Sequence, residues 1–143
     1  MILDTIGAVR AWLLGQTAIT DLVGQRVFVN AIPRDVIEAE PIENPSKMIV
    51  VRMAGGAGKS DFMDFQPQTM DVLCYGETQL EADKVRREVF AQLFEIDRVR
   101  QGDVLIHWAN PAGGPVSLVD PDIVWPAISQ SYEIATSIKE IAA

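Results

Sequence analysis

The sequence predicts an α+β fold, a largely antiparallel β-sheet packed against an N-terminal helix and one long central helix. Three observations predict it. From Ala82 to Ile96, apolar residues recur every three or four positions behind a Thr78/Glu81 capping pair, the signature of a long amphipathic helix. From Ile128 to Ile138 the even positions Ile128, Tyr132, Ile134 and Ile138 are apolar, while Ser129, Ser131, Glu133 and Ser137 stand at odd positions, which is the period of a half-buried strand. Read in order, the elements run helix, strand, strand, strand, helix, strand, strand. That order groups the helices apart from the strands and does not alternate them as a parallel α/β sheet would.

The first helix follows from Ile2, Ile6, Val9 and Leu13, spaced four, three and four, with Gly15 as a left-handed cap. Thr17 is expected to cap a short second helix with Ile19, Leu22 and Val23 inward, which Gly24 ends. Arg26 to Ile32, with Val27 and Val29, reads as a strand. Pro33 to Pro45 carries three prolines and Asp35, Glu38, Glu40 and Glu43, so a solvated loop is expected, with at most a helical turn near Val36. Met48 to Met53 is a compact apolar strand, Ala54 to Pro67 a long loop, and Thr69 to Tyr75 a strand with Met70, Val72 and Cys74 on one face. In the central helix Ala82, Val85, Val89, Leu93 and Ile96 form the inner stripe, widened by Phe90 and Phe94. Val104 to Trp108 is the next strand, and the stretch to Pro126, with Gly113, Gly114 and several prolines, reads as a second long loop.

At 143 residues, 48% hydrophobic and 22% charged, the chain fits one globular domain able to bury a core without staples. Cys74, the sole cysteine, cannot pair within the chain, and the absence of a signal-like N-terminus suggests folding in a reducing compartment. No apolar run approaches the roughly 20 residues of a membrane span, so no membrane partner is expected. Twenty acidic against twelve basic residues give a net charge of -8, which disfavours tight nucleic-acid binding by counterion release.

The segment Ala54-Gly55-Gly56-Ala57-Gly58-Lys59-Ser60 ends like a phosphate-binding loop. The motif requires glycine five places before Gly58, where Met53 stands, and a helix after the lysine, where the chain reads Asp61-Phe62-Met63-Asp64-Phe65-Gln66-Pro67. A flexible glycine loop is the simpler reading, and a small nucleotide-binding protein is the alternative from a different class. His107 is the sole histidine, so neither a multi-histidine metal site nor a thiolate cluster is available. Cys74 and His107 lack any evident orienting group for nucleophilic catalysis. Asp120 with Asp122, and Asp61 with Asp64, are paired carboxylates in loop-like surroundings, more simply solvated charges than a reaction centre. No cofactor, metal or catalytic residue is therefore expected. The loop from Gly55 to Gln66 joins Lys59, Asp61 and Asp64 to Phe62, Met63 and Phe65. Large apolar groups there make Lys59, Asp61, Phe62, Asp64 and Phe65 a candidate contact with a neighbouring subunit or a tube protein.

Asp21-Leu22-Val23-Gly24-Gln25-Arg26-Val27-Phe28 after an N-terminal helix resembles the opening of the tail-terminator (tail-completion) proteins of long-tailed bacteriophages. Met48 to Met53 with Gly55-Gly56, a variable loop, Thr69 to Tyr75, the capped helix from Thr78, and the last strand after Trp125-Pro126 are similar to the core of that family. The resemblance runs from Thr5 to Ile138, and residues 33–45 and 110–126 depart from it. It implies a non-enzymatic virion protein of the tail or neck, folded in the host cytoplasm. Such a protein forms a homo-oligomeric ring, typically a hexamer, on the last ring of the tail tube protein. There it ends polymerisation and meets a head-side connector or stopper protein, while genomic DNA passes through without specific binding. A head-completion or neck connector protein is the related alternative.

Overall fold

A computed structural model describes residues 4–39, 46–53, 66–119 and 125–138. The elements are α1 (Thr5–Leu14), α2 (Thr17–Val23), β1 (Val27–Val29), α3 (Arg34–Ala39), β2 (Met48–Met53), β3 (Gln66–Tyr75), α4 (Gln79–Phe94), β4 (Val99–Gln101), β5 (Val104–Pro111), β6 (Val116–Val119) and β7 (Pro126–Ile138). The predicted α+β class holds. Among the described residues, seven strands form one sheet in the order β1-β2-β3-β7-β5-β4, with β6 also paired to β7. Every pairing is antiparallel except β1 with β2. That exception goes with α3, which stands between β1 and β2 in the chain, so that the two strands are not the arms of a tight hairpin and can run in one direction.

The sheet separates two apolar clusters. On one face α1, α2 and α4 bring Val9, Leu13, Ile19, Val23, Val85, Val89 and Leu93 onto Ile49, Val51, Met70, Val72, Cys74, Tyr132 and Ile134. On the other, Met48, Val50, Leu73, Tyr75, Trp125 and Ala127 pack with Ile32, and α3 adds Val36 and Ile37. β2 supplies both clusters alternately, as a strand with a two-residue side-chain period must. Each fully buried large side chain contributes about 1.5 to 3 kcal/mol before entropy is subtracted.

Helix α4 starts where the sequence places it. Thr78 is extended (φ -136°, ψ 169°), and its Oγ1 accepts the Glu81 amide at 3.2 Å. The return half of the capping box is replaced, because the Glu81 carboxylate bonds Lys84 at 3.0 Å and Lys47 at 3.3 Å, tying the helix start to the chain entering β2. Gly76 allows this approach, since a Cβ there would stand 2.6 Å from the Ala82 nitrogen.

Several sequence expectations are corrected. Gly15 is right-handed at φ -82°, because the chain turns directly into α2 and its amide bonds Ala11 O and Trp12 O. Thr17 is the first residue of α2, with Gln16 at the cap position and no side-chain capping bond. The first strand spans only Val27–Val29, closed by Gly24 at φ 61° and Asn30 at φ 72°. Residues 34–39 form a helix within the expected loop, because Pro33 O accepts the Val36 and Ile37 amides and both side chains find an apolar surface. β3 begins at Gln66, inside the expected 54–67 loop, by pairing with β7. Phe94 does not join the inner stripe. It is 68% exposed and stacks on Phe90, with ring centroids 6.4 Å apart.

The largest correction concerns residues 110–126. β5 and β6 run in one direction along the same edge of β7, β5 beside Tyr132–Ile138 and β6 beside Pro126–Ser129. Residues 110–111 and 116–119 of the expected loop are thus strand, and residues 112–115 form an interruption opposite Gln130 and Ser131. β7 is central in the sheet and keeps the expected wetter face, with Ser129 and Ser131 part-buried and Glu133 exposed, while Ser137 departs from it by being buried. Thr136 and Ser137 are buried with partners: Thr136 Oγ1 lies 3.1 Å from Thr5 Oγ1, and Ser137 Oγ lies 2.9 Å from His107 Nε2.

Candidate functional site

The five residues singled out by sequence, Lys59, Asp61, Phe62, Asp64 and Phe65, lie outside the described residues, as does the Gly-Lys-Ser segment ending at Ser60. The strand ends that carry this segment are described. β2 delivers Met53, which is 39% exposed, and β3 resumes from Gln66. Between these ends and the start of α1 opens a groove of about 400 Å³, lined by Asp4, Ile6, Val29, Asn30, Met53 and Gln68 among others. Asp4 is committed to capping α1, its Oδ1 accepting the Gly7 amide at 2.9 Å, so its charge serves the helix dipole. Asp120 and Asp122 also lie outside the described residues.

Cys74 and His107 do not form a dyad. Cys74 is buried in the helix-side cluster, where loss of solvent pushes its thiol far above the ordinary range and leaves it a small apolar residue. His107 lies on β5 beside Trp108, as expected, and bonds Ser137, which projects from the opposite face of the sheet. Partial burial, aided by the Arg98 charge, lowers its pKa, which favours the neutral ring at pH 7. Among the described residues no group of three or more His, Cys, Asp and Glu side chains is arranged to hold a metal ion. No described helix is long and apolar enough to cross a membrane.

A polar cluster missed by sequence reading lies between α4 and β7. Arg86 Nε donates to Asp83 Oδ1 at 2.7 Å, and Arg86 Nη1 and Tyr132 OH both donate to Gln130 Oε1, at 3.4 and 3.3 Å. Gln130 Nε2 completes the chain by donating to Gly113 O at 3.1 Å. Burial pushes the Tyr132 phenol up, so it remains a donor at neutral pH. The nearby Cys74 thiol is buried and held protonated. The chemistry of the cluster is structural, fixing the interruption between β5 and β6 to the helix. The only available signal was Gln130, a polar residue in the apolar register of β7.

The sheet borders differ in the same functional respect. At β1, Val27 N–H donates to Gln25 O at 2.9 Å, Val27 O accepts from Arg10 Nε at 2.7 Å, and Val29 O accepts from Ala31 N–H at 2.9 Å. These bonds occupy three of the groups through which another strand would add, both outward carbonyls among them. Arg98, just before β4, and Arg100 within it are both exposed.

Comparison with known proteins yields a fold match alone. Neither a family model nor a curated protein matches the chain. Among solved structures, the fold is similar to that of a chain from the virion of a native gene transfer agent particle, with a TM-score of 0.64 and 12% sequence identity. The likeness spans 92% of this chain and 93% of that one.

Proposed function

We propose that this chain is a structural protein of a phage-like virion. The observation that carries the reading is the end-to-end correspondence with a chain of a gene transfer agent virion, in which neither partner has a large unmatched part. Within that class, the finer reading is a ring at the head-proximal end of the tail tube, ending tube polymerisation and offering a surface for head-tail joining. The resemblance of residues 21–28, 48–56 and 69–78 to tail-terminator proteins supports it. The partners are then further copies of the chain, in a hexamer, together with the tail tube protein and a head-side connector, and no catalysis takes part.

The physics of this role is heterologous closure, in which each copy buries one patch against a different patch of the next until rotation closes the ring. Acidic side chains line the channel in this reading, because a net charge of -8 suits DNA that must pass without being held. Lys59, Asp61, Phe62, Asp64 and Phe65 supply contacts to a neighbouring copy or to the tube. Electron microscopy of the purified protein with tail tube protein tests the whole: closed rings and capped tubes of limited length are expected. Tubes that grow unchecked, with the protein binding only a head-side connector, would move it to the neck.

A further inference from the structure

Helix α4 buries one stripe and exposes another. Leu80, Lys84, Arg87, Ala91 and Phe94 are all exposed and follow spacings of four, three, four and three, so they form a straight seam about 21 Å long. Its ends are large and apolar, with Leu80 77% and Phe94 68% exposed, the highest values among the described large hydrophobic side chains. Phe94 is held against Phe90 by parallel stacking. Between the ends stand two cations, on a chain whose net charge is -8. Lys84 and Arg87 are steadied by Glu81 at 3.0 Å and Asp83 at 3.2 Å.

The opposite face of the sheet carries the reverse charge. α3 turns Val36 and Ile37 inward onto the second cluster and leaves Asp35 and Glu38 exposed, together with Arg34 at its start. The cationic, apolar-ended seam and the acidic helix thus lie on opposite sides of one sheet.

We propose that the α4 seam of one copy docks on the α3 face of a second copy. This rests on the ring reading above and names the surfaces that build the ring. Opposite charge sets register and disfavours the symmetrical alternative, because α4 against α4 would bring Lys84 and Arg87 towards their own counterparts. Leu80 and Phe94 are the anchors that lose water on docking. Since the two surfaces face opposite ways on one subunit, their union runs head to tail.

The test uses two charge-reversed forms of the full chain, Lys84→Glu with Arg87→Glu, and Asp35→Lys with Glu38→Lys, followed by light scattering, native mass spectrometry and electron microscopy. Each form alone should lose ring assembly by about tenfold or more while melting like the wild type. An equal mixture should regain it, because every contact between unlike forms is again complementary. Wild-type-like assembly of either form alone, or failure of two folded forms to assemble when mixed, overturns the inference and leaves the ring reading standing. A wild-type chain that stays monomeric beside tube protein overturns both.

Discussion

Gln130 donates to the carbonyl oxygen of Gly113 at 3.1 Å, and this contact fixes the point where β5 gives way to β6 along β7. Ala112 N–H donates to Ser131 O at 2.9 Å next to it. The interruption is therefore anchored from both the backbone and the side chain, with Arg86 and Tyr132 holding the other end of the same amide.

Gln130→Leu should destabilise the protein by about 1–3 kcal/mol, because the buried Tyr132 hydroxyl loses its acceptor while the volume is nearly kept. Urea denaturation checks this, and a loss below about 0.5 kcal/mol would place the anchor elsewhere.

Val89 is fully buried where α4 meets the sheet. Val89→Asp would set a carboxylate in the apolar cluster and should leave no cooperative unfolding transition, since an unpaired buried charge costs several kcal/mol. A soluble variant that melts cooperatively would contradict the assigned core.

Cys74 should react with a thiol reagent only as fast as the protein opens, because its sulfur is buried and remains protonated at neutral pH. Labelling at the speed of a free thiol in native buffer would show that the strand register is wrong.

His107 has a pKa lowered by burial. The unfolded chain consequently binds the proton more readily, so this residue withdraws stability as pH falls below about 6.5 towards the folded-state value, and has no such effect at higher pH. Proton NMR should give a ring titration midpoint below the ordinary histidine value of about 6.5, and His107→Gln should flatten the stability profile in that window. A midpoint above it would reverse the sign.

Periodicity made α4, β2, β3 and β7 legible in the sequence, because Val85, Val89 and Leu93, or Met70, Val72 and Cys74, repeat with the geometry of their element. β6 was hidden because Pro111, Gly113, Gly114 and Pro115 carry a loop's composition, yet they occupy the end of β5 and the interruption, where no ladder bond is asked of the prolines. Helix α3 was hidden because its three apolar and three charged residues show no stripe over six positions, and only the second cluster gives Val36 and Ile37 a reason to turn inward. Burial of Thr136 and Ser137 depends on Thr5 and His107, partners remote in sequence, which no local pattern announces. Of the candidate site, the sequence named a segment, whereas the α4 seam is visible only once Phe94 is known to face outward.

The guanidinium of Arg10, resting on the Val27 carbonyl, bears on how one molecule can meet another. A border whose outward carbonyls are already bonded is a poor template on that side for stacking further ribbons into a continuous fibre. Copies that meet at that border must then recognise one another through side chains, and association governed by side chains can stop at a set number.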